Sequence, residues 1–159
     1  MTIGRFTPAV LTVVLSLVAS ACGDGVSPCT DCPAIEGRYR MGFGDAGAPA
    51  ECTQLGVDLP RNKPLDISRT GGALTGKLER VSLRGTVSAQ GTFNLTGNAA
   101  GTPDGGLGSM LSLTGFFTPP VTDGGTASLA GTYTGNFTRA GQNGSQRCDI
   151  VSPFSATRE

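Results

Sequence analysis

Histidine and tryptophan are missing from this 159-residue chain, and tyrosine occurs twice. Without histidine, the usual general base for chemistry near neutral pH is gone. No serine sits in a Gly-x-Ser-x-Gly elbow, and the carboxylates are scattered along the chain. Nothing points to a Ser–Lys or carboxylate-pair mechanism either, so no catalytic residue is assigned and a non-enzymatic protein is expected. Charge is scarce: 15% of residues carry it, 12 basic against 12 acidic, for a net charge of zero. That balance gives no reason to expect a nucleic-acid partner. From Gly85 to Thr138 there is no Lys or Arg, and only Asp104 and Asp123 are charged, so Thr, Ser and Asn must supply the polar surface. No apolar run reaches the roughly 20 residues that a membrane-spanning helix needs. No amphipathic helix of useful length stands out.

What is present begins at the N-terminus. Arg5 and the α-amino group precede Pro8, an apolar stretch runs from Val10 to Val18, and Ala19, Ser20, Ala21 and Cys22 follow. Positive start, short apolar centre and small residues are the marks of a secretory signal. Ala19-Ser20-Ala21-Cys22 resembles the lipobox of bacterial lipoproteins, with Ala where Leu is commoner three residues before the cysteine. The resemblance implies cleavage before Cys22 and lipidation (palmitate among the acyl chains) of that cysteine. One acyl chain binds a bilayer marginally, whereas several anchor it durably. Gly23 after the cysteine, by analogy with enterobacterial sorting, implies the outer membrane. The expected protein is therefore exported and lipid-anchored to the bacterial cell envelope. The alternative is ordinary cleavage near Ala21, leaving a soluble protein with a spare thiol.

Removal of residues 1–21 from the 159-residue chain leaves 138, enough for one domain with a modest core. Residues 22–34 read as a lipid-anchored tether rich in Gly, Ser, Pro and Asp, and residues 35–159 as the folded domain. Setting Cys22 aside leaves four cysteines, an even number in an exported chain, which reads as two disulfides. Of three connectivities, Cys52–Cys148 with Cys29–Cys32 is favoured; Cys29 with Cys52 or with Cys148 stays open. Cys29-Thr-Asp-Cys32 has redox-motif spacing, but Pro33 and the tether offer no helix N-terminus to lower a thiolate pKa. One CxxC and two distant cysteines in an oxidising compartment make a poor zinc set, so no metal and no cofactor are expected.

The domain reads as strands of period two separated by Gly-bearing turns. Gly37–Phe43 places Tyr39, Met41 and Phe43 on one face. Cys52–Leu59 alternates with Leu55, Val57 and Leu59 and is expected to be the second strand. Leu65–Arg69, Leu74–Leu78, Leu83–Val87, Phe93–Leu95, Met110–Thr118, Leu129–Phe137 and Cys148–Thr157 follow. The polar breaks Gly97–Gly106 and Pro119–Gly125 each carry an Asp-Gly-Gly tip, read as turn chemistry. A pattern apolar-x-Gly-x-apolar recurs around Gly76, Gly85, Gly115 and Gly131, with each glycine on the apolar face. Glycine there permits sharp coiling and close approach of neighbouring strands. The expected fold is all-β: a single antiparallel up-and-down barrel of about eight strands.

Gly37-Arg38-Tyr39 at the first strand and Arg158 at the end of the last resemble, faintly, the lipocalin-like and avidin-like barrels, the calycins. These open with Gly-x-Trp and pack a late arginine on that ring; here Tyr39 replaces the Trp. The missing tryptophan also speaks against an avidin-type aromatic cage for biotin. Arg61, Lys63, Arg69, Lys77, Arg80 and Arg84 form a basic stretch, readable as an anion or headgroup patch but more simply as the solvated ends of strands. Asn94, Asn136 and Asn143 sit in glycosylation sequons, which an Asn/Thr/Ser-rich composition generates by chance. The functional expectation is a non-catalytic binding module for a small apolar ligand or an envelope partner, bound to the membrane through Cys22. The alternative is a structural or assembly lipoprotein acting through its outer surface and loops. No ligand-binding residues can be named from the sequence.

Overall fold

The structure is a computed structural model, and it describes residues 29–102, 104–122, 124–141 and 144–159. Eight antiparallel strands follow one another around a closed barrel: β1 (Gly37–Phe43), β2 (Pro64–Thr70), β3 (Ala73–Leu78), β4 (Val81–Val87), β5 (Thr92–Ala99), β6 (Leu107–Thr118), β7 (Ser128–Gly141) and β8 (Gly144–Arg158). The ring closes where β1 meets β8, with Tyr39 opposite Arg158 and Phe43 opposite Phe154. The up-and-down barrel expected from the period-two pattern is the observed fold. Closure leaves no edge strand to pair with another chain.

The turns are short where glycine allows it. Gly71 at φ 59° makes the two-residue β2–β3 connection, and Gly91 at φ 83° turns β4 into β5. At the two Asp-Gly-Gly tips, Gly105 and Gly124 have φ 82° and 89°, the left-handed conformation that turn chemistry calls for. Glu79, with φ 53°, takes the same region at the two-residue β3–β4 turn, where a side chain is sterically disfavoured.

One expectation is overturned. Cys52–Leu59 is not a strand, because β1 pairs directly with β2. Residues Ala50–Gln54 instead form a single helical turn, α1, started at the Pro49 carbonyl, which accepts from the amides of Cys52 and Thr53. Gly56 at φ 71° ends it, and the Val57 amide turns back onto the Cys52 carbonyl at 2.8 Å. The alternation of Leu55, Val57 and Leu59 does report burial. It comes from a segment lying across the barrel end rather than from a ladder. The other strands lie where expected, but β5, β6, β7 and β8 run longer than their apolar stretches, β5 through Thr96–Ala99 into the expected break Gly97–Gly106, and the rest through residues 107–109, 138–141 and 144–147.

The inward face holds the core: Tyr39, Met41, Leu65, Leu74, Leu78, Leu83, Phe93, Leu95, Leu113 and Leu129 are almost fully buried. The recurrent glycines lie on this face and sit beside larger neighbours. Gly85 lies between Leu74 and Leu95, and Gly115 between Phe93 and Gly131, which in turn faces Phe154. At Gly115 and Gly131 the strands approach so closely that a side chain has no room. A Cβ on Gly131 would fall on the Thr114 carbonyl and come 2.6 Å from the Gly115 Cα. This is the sharp coiling that lets a small sheet close.

A candidate ligand cavity at the barrel mouth

The two ends of the barrel differ. At the closed end, the chain before β1 lies across the opening, with Ile35 fully buried and Cys32 packed against the core. Arg158 locks this end. Its guanidinium stacks 5.4 Å from the Tyr39 ring and 5.7 Å from that of Phe117, donates to the Tyr39 hydroxyl at 2.9 Å, and donates to the Ala34 carbonyl. The Tyr39 hydroxyl donates in turn to the Ile35 carbonyl at 2.7 Å. Burial pushes the Tyr39 phenol up from its ordinary pKa, against the opposing pull of the Arg158 hydrogen bond. Beside it, Arg69 donates to Glu36 at 3.0 Å and holds that carboxyl below the usual carboxylate range.

The opposite end is a mouth roofed by the segment between β1 and β2. Two ties hold the roof. The Cys52–Cys148 disulfide joins α1 to β8, and Arg139 of β7 donates to the Leu55 carbonyl at 3.0 Å. Arg61 steadies the start of the roof by donating to the Phe43 carbonyl at 2.8 Å. Under and beside this roof is a cavity of about 330 Å³. Its walls are Val57 and Pro60 of the roof, Leu78 and Val81 at the β3–β4 turn, Leu107 and Leu111 of β6, and Tyr133 and Phe137 of β7. Asp58, Glu79 and Arg80 stand among the lining residues, with Arg80 engaged on the Leu107 carbonyl at 3.3 Å.

Besides these charged residues, the lining carries two hydroxyls, those of Ser109 and Tyr133. Ser109, 8% exposed, has a buried hydroxyl oxygen with no hydrogen-bond partner among the described residues. Tyr133 is almost fully buried, its ring meeting that of Phe43 edge-on at 5.6 Å. Burial pushes its phenol well up, and the Glu79 carboxylate adds to the rise. The ring extends along its own strand past Gly135, where a Cβ would stand 3.0 Å from the Tyr133 oxygen and 2.6 Å from the Phe137 ring. Glycine at 135 thus lets the hydroxyl reach toward the mouth. Position 135 faces Leu111, and Ser109 is the next inward residue of β6 toward the opening. Ser109 and Tyr133 therefore lie two rows apart on one wall, and the Tyr133 hydroxyl spans the Gly135 row between them.

No protein family, no curated protein and no solved structure matches the chain. What the cavity can do rests on its own residues.

Both disulfides are those favoured from the cysteine count, Cys29–Cys32 and Cys52–Cys148, although Cys52 projects from α1 and not from a strand. Cys29–Cys32 belongs to the segment at the closed end, where Cys32 Sγ lies 3.4 Å from the Val87 carbonyl oxygen. Cys22 lies outside the described residues, as do Asp123 and Asn143. The basic stretch disperses: Arg61 and Arg80 bind carbonyls, Arg69 pairs with Glu36, Lys63 stands 3.9 Å from Glu79, and Lys77 faces Asp66 across the ladder. Asn94 and Asn136 sit on the outer wall, where the first accepts from the Thr86 amide at 3.0 Å and the second donates to Asp149 at 2.6 Å. Among the described residues no group of His, Cys, Asp or Glu is placed to hold a metal.

Sequence reasoning missed Ser109 and Tyr133. Ser109 precedes the apolar run that marks β6, and Tyr133 reads as one more core aromatic. The available signal was a hydroxyl on the inward side of a strand, visible only once β6 is extended backward with its alternation kept.

Proposed function

We propose that this chain is a non-catalytic binding module, lipid-anchored to the bacterial cell envelope through Cys22, that holds a small apolar ligand in the mouth cavity. The observation that carries the reading is that cavity: about 330 Å³, apolar in the main, bounded by a roof tied down at two points. Its volume lies at the lower end of the range of small-molecule pockets. The Arg158–Tyr39 stack supports the calycin-like reading of the barrel ends, since that resemblance implies just such a contact.

The anchor and the cavity fit together. Cys22 precedes Cys29 by seven residues, at most roughly 25 Å of extended chain, and Cys29 leads into the closed end of the barrel. A lipid on Cys22 would therefore hold the closed end toward the outer membrane and leave the mouth facing away from the bilayer. The ligand would exchange with the aqueous phase or with an envelope partner.

Metabolic labelling with a palmitate analogue tests the anchor: label is expected on the wild type and not on Cys22→Ala, and an unlabelled wild type overturns it. Native mass spectrometry and solvent extraction of purified protein test the cargo. A co-purifying molecule displaced in Leu107→Trp, which fills the mouth, is the expected result.

A second reading, an assembly role through the outer surface, draws on Phe116. This side chain is 62% exposed beside an outer groove of about 630 Å³ lined by Thr86, Thr92, Asn94 and Thr114. Cross-linking in cells that captures one partner in the wild type and loses it in Phe116→Ser, with no cargo found, would favour that reading.

A further inference from the structure

We infer that the ligand of the mouth cavity is a neutral amphiphile: an apolar body of about ten non-hydrogen atoms carrying one hydroxyl or carbonyl, which Ser109 and Tyr133 hold. The inference rests on the cavity being a ligand site and adds the chemistry of what it takes.

Size comes first. At roughly 30 Å³ per water in the liquid, a cavity of about 330 Å³ corresponds to about eleven water-sized groups. That is too small for a diacyl lipid and suits a single short chain or one ring system. The polar end follows from the two hydroxyls. A buried hydroxyl with no partner is costly, and native proteins leave few of them. The Ser109 oxygen is such a group, and Tyr133 supplies a second hydroxyl to the lining of the same cavity. Both line the same cavity on the β6–β7 wall, two inward rows apart, with the Tyr133 hydroxyl reaching over the intervening Gly135 toward Ser109. A ligand oxygen placed there satisfies both, accepting from one and, if it is a hydroxyl, donating to the other.

Neutrality follows from the cations. An ionised carboxylate or phosphate buried at the inner wall needs a positive partner. Arg80, the basic residue of the lining, is exposed and bonded to the Leu107 carbonyl at the rim, and Arg139 is not among the lining residues, so no cation of the lining stands at the inner wall. Glu79 and Asp58 among the lining residues add negative potential, which further disfavours an anion. A mouth facing away from the bilayer also suits a ligand soluble enough to arrive through water.

Nonanol and nonanoate, alike in length and differing in charge, are the probes, with the full chain carrying Cys22→Ser so that no attached acyl chain competes. Calorimetry gives affinity, and ring NMR signals give location. Tyr133 lines the cavity and Tyr39 is at the closed end, so nonanol should move the first set of signals and leave the second. Binding of nonanol should weaken about five- to tenfold in Ser109→Ala and again in Tyr133→Phe, the loss expected for one hydrogen bond to a neutral group. Nonanoate at pH 8 should bind at least tenfold more weakly than nonanol. Equal affinity of nonanol for wild type and both variants, or nonanoate binding as tightly as nonanol, overturns the inference and leaves the cavity as a ligand site. Absence of nonanol binding to wild type, with Tyr133 signals unmoved, overturns the ligand site itself. Each variant's thermal transition is recorded, and the two substitutions are independent, so unfolding of one leaves the other to decide.

Discussion

Replacing Gly131 with alanine tests the close approach on which the barrel depends. The added Cβ would fall on the Thr114 carbonyl and stand 2.6 Å from the Gly115 Cα, and these nearest atoms are all backbone of β6, with no flexible side chain to yield. Overpacking of this kind costs roughly 1–3 kcal/mol, and a purely backbone obstruction belongs at the upper end. Alanine also restricts the unfolded chain, which returns about 0.5–1 kcal/mol. The net loss expected is about 2 kcal/mol, a fall in melting temperature of roughly 6–10 °C for a domain of this size. Gly44 is the control, because a Cβ there meets nothing within 4 Å. Gly44→Ala should be neutral or slightly stabilising by the same unfolded-state effect. A second comparison isolates the cause. A Cβ on Gly115 would come 2.9 Å from the Gly131 Cα, so both glycines relieve the same β6–β7 crossing. Once that crossing has opened for one alanine the second should cost less, making Gly115→Ala with Gly131→Ala sub-additive. Gly85, obstructed by the Asn94 backbone at the β4–β5 crossing, should add fully to Gly131. Urea unfolding followed by far-ultraviolet circular dichroism, disulfides intact, measures all of these. A Gly131→Ala midpoint equal to that of Gly44→Ala would refute the account of why the sheet closes.

With two tyrosines and no tryptophan, absorbance at 295 nm reads phenol ionisation cleanly. Both native phenols are raised by burial, so the folded protein should form less phenolate near pH 10 than the denatured chain. The folded state then keeps protons that the unfolded state gives up, and stability should be intact below about pH 10 and fall as pH climbs above it; a native phenol titrating at its ordinary value counts against the packing described for it. Cys52 and Cys148 are 96 residues apart, and losing that bond frees both a long loop and the roof. Cys52→Ser with Cys148→Ser should lower stability by roughly 2–5 kcal/mol, against little change for Cys29→Ser with Cys32→Ser. Arg158→Lys keeps the charge but loses the planar stack and a donor at the closed end, and about 2 kcal/mol should go with them in the same urea assay.

The barrel was legible because its strands are half-buried, and a two-residue period survives where one face is apolar and the other is Thr, Ser or Asn. The glycines added the curvature: a side-chain-free position repeated on the inward face has no use in a flat sheet. Cys52–Leu59 misled because alternation reports burial on one side and not a hydrogen-bonded partner. Leu55, Val57 and Leu59 are buried by lying over the barrel end, and the same period results. The strand extensions were illegible for the opposite reason. Beyond Phe137 the β7–β8 ladder continues toward the mouth, where its residues are mostly exposed and the apolar alternation stops.

That loss of signal is tied to the site. A cavity forms at the mouth because the inward residues of the long strands there cease to be uniformly large and apolar. Ser109 stands where an inward aliphatic residue would continue the wall, and Gly135 stands where a side chain would block the Tyr133 hydroxyl. Each of these departs from what best fills a barrel, and both departures open onto the same space. Deeper in, the inward glycines Gly85 and Gly115 each face Leu or Phe across the ladder. Glycine in this fold therefore has two separable effects. At 115 and 131 it lets backbones touch, so that alanine there should destabilise the protein without altering the ligand chemistry. At 135 it makes room for a side-chain hydroxyl. Alanine at 135 should displace the Tyr133 ring and weaken nonanol binding, even where the barrel itself survives.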